Sequence, residues 1–194
     1  MTDAIPYTIG VLDKLRWNCH LGKHKHFAAS GRGRRYHVLI GVPIIVINLL
    51  LGSVFFAELS SQLPVWTKWA GAGLALFAAV LGGVQTFFHF QKEYEGHRAV
   101  ANQYLALARE CERLIALYFD GIIGVDAVSS EIHRINGEYN TINQEAEALT
   151  TKGTDYETAI GVQERKKVRE PSLVEQERAR IQANVNSYEP SAWQ

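Results

Sequence analysis

Apolar and polar positions are sorted along this chain in blocks. From Tyr36 to Ala57 there is no Asp, Glu, Lys or Arg, and from Trp69 to Gln91 there is again none. Neither block keeps the polar stripe of a helix lying on a soluble core. The first reads Val38-Leu39-Ile40-Gly41-Val42-Pro43-Ile44-Ile45-Val46-Ile47-Asn48-Leu49-Leu50-Leu51. A helix rises about 1.5 Å per residue, so about 20 apolar residues cover a hydrocarbon layer of roughly 30 Å. Both blocks reach that length. The pattern predicts transmembrane helices over 36–57 and 69–90, joined by a short turn over 58–68. The competing reading is a very apolar soluble hairpin. The first apolar run begins too late and extends too far for a leader peptide. Thr2 and the final Ser191-Ala192-Trp193-Gln194 carry no lipidation signal.

After Phe90 the period changes. Val100, Tyr104, Leu107, Cys111, Leu114 and Tyr118 alternate at spacings of four and three, the mark of a narrow apolar seam on a helix. Asp120-Gly121 supplies a stop. A second helix is expected from near Asp126 or Ser129, with Val128, Ile132, Ile135, Tyr139, Ile142, Ala146 and Leu149 as its seam. Residues 91–150 thus read as an antiparallel helical pair. Two narrow seams bury little on their own. A second subunit is the expected cover, ahead of the chain's own N-terminal helix. Residues 151–194 read as a charged tail. Helices are expected over Asp155–Glu170 and from Ser172 to about Val185, the latter opened by a Ser172/Glu175 capping box, and both are expected to order on a partner. The fold class is all-α: an integral membrane helical hairpin of two transmembrane helices, with a cytoplasmic N-terminal helix, a C-terminal antiparallel helical pair, and an oligomeric state.

Charge sets the orientation. The 194 residues carry a formal net charge of zero, but residues 1–35 hold seven Lys and Arg against Asp3 and Asp13. The turn holds one charge of each sign, and Lys92 and Arg98 follow the second span. The positive-inside rule puts both termini in the cytoplasm, with Trp66 and Trp69 at the outer interface. Cys19 and Cys111 then face a reducing compartment and are expected as free thiols.

Candidate chemistry is sparse. Asn48 lies near the middle of the first span, where an amide in hydrocarbon is costly without a hydrogen bond. It either lines a pore or inter-subunit contact, or bonds within its own hairpin, worth about 0.6–2 kcal/mol. Depth arithmetic weakens the second reading. The residue level with Asn48 on the second span is near Ala79, and Gln85 lies about six residues, roughly 9 Å, further in. Pro43 removes the donor to the Leu39 carbonyl, which predicts a kink that either gates or simply shapes the helix. Gly71, Ala75, Ala79 and Gly83 form a small-residue ridge suited to close helix packing. Gln85, Thr86 and His89 form the polar inner end of the second span.

The assembly seam is assigned to Tyr104, Leu107, Leu114, Ile132, Ile135 and Ile142. His20, His24 and His26 invite a metal, but Lys23 and Lys25 interleave with them and repel a cation. A basic segment lying along an anionic lipid surface is expected instead. His97-Arg98 suggests either a phosphate-bearing ligand or pairing with Glu93, Glu95 or another chain. No nucleophile elbow, phosphate loop or metal-protease motif occurs. Neither enzymatic activity nor a cofactor is expected, and no direct nucleic-acid signal is seen.

The layout is familiar. His24-Lys25-His26-Phe27-Ala28-Ala29 leads into a Gly41-Val42-Pro43 span. After the turn and the small-residue span come Phe88-His89-Phe90, Glu95-Gly96-His97-Arg98 and Tyr104-Leu105-Ala106-Leu107. Over about residues 10–150 this resembles the SLATT family, two-transmembrane effector domains associated with bacterial SMODS and SLOG systems. The resemblance implies a multi-pass inner-membrane effector of an antiphage conflict system. Its cytosolic partner would make or sense a nucleotide-type signal, or be a reverse transcriptase. The effector would then assemble as a homo-oligomer that opens a pore or disrupts the bilayer. The family has no catalytic residues to carry over. The alternative is a non-conducting two-span anchor that docks a cytosolic partner.

Overall fold

A computed structural model describes residues 5–59 and 64–187 of the chain. The described residues are helical and contain no strand. Six helices follow in order: α1 (Tyr7–Leu59), α2 (Val65–Phe88), α3 (Phe90–Phe119), α4 (Val125–Glu147), α5 (Gly153–Arg169) and α6 (Leu173–Ser187). They divide into two compact units. Unit 1 comprises Met1–Ala29 with His97–Gln194, and unit 2 comprises Ser30–Gly96.

The division cuts across the boundaries drawn from sequence. The basic segment 1–35 is no separate module, because α1 is one helix that runs from the first unit into the second. Pro43 lies inside it without ending it. Near its start, the Pro6 carbonyl accepts the amides of Ile9 and Gly10.

Unit 1 is built on a core shared by four helices. Ile9, Leu12, Leu15 and Cys19 of α1 pack with Val100, Tyr104, Leu107, Cys111 and Leu114 of α3, with Val128, Ile132, Ile135 and Ile142 of α4, and with Val174 of α6. The α3 and α4 seams are therefore where the periodicity put them, but the chain covers them itself. This corrects the assignment of Tyr104, Leu107, Leu114, Ile132, Ile135 and Ile142 to a contact between subunits. The reason is the first helix: its own Ile9, Leu12, Leu15 and Cys19 stripe supplies the missing face. Gly22 permits the approach, since an added Cβ there would stand 3.0 Å from the Tyr104 ring.

The connections follow ordinary capping chemistry. Gly121, at φ 71°, ends α3 in the left-handed conformation that glycine adopts cheaply, and the Ile122 amide turns back to the Leu117 carbonyl at 3.0 Å. The Asp155 carboxylate accepts the Lys152 amide at 2.8 Å at the start of α5. Before α6, Ser172 Oγ accepts the Glu175 amide and the Glu175 carboxylate accepts the Ser172 amide. The capping box is thus where the sequence placed it. Residues 153–169 and 173–187 are helical and pack within the chain, with Ala159, Gln163 and Val174 buried.

Unit 2 packs the second half of α1 against α2. Ala78 is buried, and an added Cβ at Gly71 would meet Leu51 at 4.0 Å. The outward faces are apolar. Leu39, Ile45, Leu49, Trp66, Trp69 and Leu76 are each at least 68 % exposed. Of the most apolar 18-residue stretches, 0 % is buried in α1 and 6 % in α2. A soluble core helix would hide such a stretch. Both helices are long and apolar enough to cross a membrane.

Candidate functional site

In unit 2 the polar side chains fall at different depths and meet different fates. Ser53 Oγ donates to the Leu49 carbonyl and Thr86 Oγ1 to the Gly82 carbonyl, so both hydroxyls are satisfied by their own helices. Gln85 faces α1, where its Nε2 lies 3.5 Å from His37 Nδ1 and an added Cβ at Gly41 would stand 3.5 Å from the same nitrogen. Asn48 is exposed on the surface of α1 and has no hydrogen-bond partner among the described residues. Gln85 and Asn48 do not meet, as the depth arithmetic expects. The small-residue ridge is not the surface on which α1 packs. Ala75, Ala79 and Gly83 are exposed, and only Gly71 of the four is half-buried. Gly71 shares the α1-facing side of α2 with Ala78 and Gln85.

The inner end of α2 is shaped by one residue. His89 adopts φ 46° and ψ 36°, the left-handed conformation. Its Nδ1–H donates to the Phe87 carbonyl at 3.0 Å, which fixes the tautomer and stops α2. The α3 helix resumes at once, with the Glu93 amide on the His89 carbonyl at 3.1 Å. The expected continuous helix from the second span is therefore broken at His89, and Phe88 and Phe90 stack across the break at 5.4 Å. Ser30 Oγ donates to the Tyr94 carbonyl at 3.0 Å, tying α1 to the first turns of α3.

Residues 16–122, more than half of the chain, match the model of a family described as a protein of unknown function, DUF4231. The chain belongs to the DUF4231 family. No curated protein and no solved structure matches it. The DUF4231 segment covers α1 from Arg16, all of α2 and α3, and the Gly121 stop. It includes Pro43, Asn48, Gly71, Ala75, Ala79, Gly83, Gln85, Tyr104, Leu107 and Leu114, while Ile132, Ile135 and Ile142 lie beyond it.

Within the DUF4231 segment, unit 1 carries polar groups that the sequence reading set elsewhere. His20 and His26 are buried against α3, so they do not lie on a lipid surface. His20 Nε2–H donates to Glu112 at 2.9 Å, and the hydrogen bond from His20 is the main cause that holds the Glu112 carboxyl below its ordinary range. His26 Nδ1 stands 3.0 Å from His97 Nδ1, both rings being buried. His97 turns inward to another histidine, while Arg98 is exposed. Burial, then Lys25 and His97, push His26 down to about 4. Cys19 and Cys111 are free and buried, and burial pushes each thiol up to about 12. They are packing groups in this protein. The pairing of His26 with His97 joins positions 71 apart in sequence. The only signal for it is that both sit on the inward faces of their helices.

Proposed function

We propose that this DUF4231 protein is a multi-pass membrane effector of the SLATT type, with both termini in the cytoplasm of a bacterial cell and unit 2 assembling with further copies across the inner membrane. Asn48 carries the reading. An amide exposed on a bare apolar helix, with no partner among the described residues, is unfavourable in hydrocarbon. Water in a pore or the same amide on a neighbouring copy removes that cost. The exposed Ala75-Ala79-Gly83 ridge gives a second surface on which copies can approach closely. Two spans cannot enclose a conduit, so conduction requires several subunits. The family resemblance supplies the biological setting: a cytosolic partner, either a nucleotide-signalling enzyme or sensor or a reverse transcriptase, triggers pore opening or bilayer disruption.

Induced expression with a membrane-potential dye tests this. Depolarisation that depends on the two spans is expected, and Asn48→Leu is expected to insert normally yet lose it. An Asn48→Leu protein that depolarises as fully as the parent removes the role of Asn48. An unchanged potential at high expression favours the other reading, a non-conducting anchor. That reading draws support from the closed core of unit 1, which leaves its surface available to a docked partner.

A further inference from the structure

Against the core of unit 1 lies a cleft of about 360 Å³. Its walls come from α1, α3, α5 and the turn into α6. The volume falls in the range of small-molecule sites, about 300–1,000 Å³. One wall is the Trp17 indole, with Ile115 and Leu173 adding apolar surface. The others are polar: Arg16, His20, Glu112, Gln163 and Lys166.

The charges in these walls are unequally engaged. Glu112 already accepts from His20 at 2.9 Å and lies 3.7 Å from Arg16. Glu175 already pairs with Lys167 at 2.8 Å and accepts the Ser172 amide at 3.0 Å. Glu170 stands exposed at the rim. Lys166 forms no ion pair among the described residues. Its field is felt nearby: after burial, Lys166 is the next cause that keeps the Lys23 ammonium below its usual range, with Arg109 adding to it. Lys166 is therefore a cation of this cleft without an ion-pair partner among the described residues, while Glu112 and Glu175 are already engaged. In the same wall, the 5 % exposed Gln163 donates its Nε2–H to the Trp17 carbonyl at 3.0 Å, while its Oε1 has no donor among the described residues. A buried amide oxygen without a donor is an unfavourable state that a small shift toward a bound donor would relieve.

From the cation, the indole and the idle amide oxygen meeting in one cleft, we infer that unit 1 binds a compact organic phosphate, its phosphoryl group at Lys166 and its flat body along Trp17. The site stands apart from conduction by unit 2, because binding in detergent requires no pore.

Isothermal titration of the full chain in detergent tests it with three probes that stay in water: AMP, ribose 5-phosphate and adenosine. AMP carries both ring and phosphate, and the others carry one each. AMP is expected to bind at least tenfold more tightly than either. Lys166→Glu, an exposed change that leaves the core untouched, is expected to weaken AMP at least tenfold. Gln176→Trp, which narrows the cleft at its exposed edge and keeps every charge, is expected to do the same. Helical circular dichroism confirms that both variants fold. Equal binding of AMP and ribose 5-phosphate overturns the assignment of Trp17 to the ring. No binding by any probe, or undiminished binding by both variants, overturns the site.

Discussion

His26 and His97 show how much a single contact decides. With Nδ1 facing Nδ1 at 3.0 Å, one ring donates and the other accepts, and double protonation would set two like charges side by side. His24 is pushed down to about 4 as well, by burial first and Lys23 next. In the unfolded chain both His24 and His26 return to the usual 6.5. Between those values the unfolded chain binds the extra protons, so their stabilising contribution is complete above pH 6.5 and is lost as pH falls toward 4. Glu112, held low chiefly by His20, adds a loss only below its ordinary 4.5. The melting midpoint of unit 1, followed by circular dichroism, is expected to drop steadily from pH 7 to pH 4.5, and His26→Gln to flatten that slope. A midpoint constant over the window contradicts the assignment. Glycines give a second residue-scale contrast. An alanine at Gly137 meets nothing within 4 Å, so Gly137→Ala is expected to stabilise α4 by about 0.5–1 kcal/mol through helix propensity. Gly22→Ala gains the same propensity but presses on a Tyr104 ring held by Asn143 and flanked by His26 and Tyr139. Overpacking costs about 1–3 kcal/mol, so a net loss of about 1 kcal/mol is expected in urea unfolding. Nothing in the spacing of residues separates these two glycines, because only the neighbouring helix distinguishes them.

Among the elements, α3 and α4 were legible because a buried stripe imposes its own period on the sequence. Their partner was not. Ile135 is fully buried where α1, α3 and α4 share one core, and Ile135→Ala is expected to cost about 2–5 kcal/mol, read as a lowered urea midpoint with an unchanged slope. The Ser172/Glu175 capping box was readable from four letters, since its bonds are local. Ser172→Ala is expected to cost about 0.5–2 kcal/mol. Hydrogen exchange is the sharper check, with amides of α6 exchanging faster while those of α3 keep their protection. The break at His89 was not readable. A non-glycine residue in the left-handed region carries no pattern of its own, and His89 is held there by its bond to the Phe87 carbonyl.

At the scale of the whole molecule, the first helix takes part in both units, and its N-terminal part completes a core whose other members lie about a hundred residues away in sequence. Deleting residues 1–20 strips Ile9, Leu12, Leu15 and Cys19 from that core and bares the α3 seam. The truncated chain is expected to aggregate in detergent that keeps the parent dispersed, as measured by light scattering. A dispersed, fully helical truncation would mean that something else covers the seam. The bare surfaces of α1 and α2 in unit 2 make the opposite demand, since no part of the described chain hides them.

The sequence by itself determined that two stretches are long, apolar and free enough of charge to form helices able to cross a membrane, and it determined which faces of α3 and α4 turn inward. Both follow from composition and period, which are local properties. Tertiary structure alone decided what those faces meet: the first helix of the same chain, a histidine opposite a histidine, and an asparagine with no partner among the described residues. Those pairings depend on which surfaces are brought within a few ångströms of each other, and distance in space leaves no trace in the spacing along a chain.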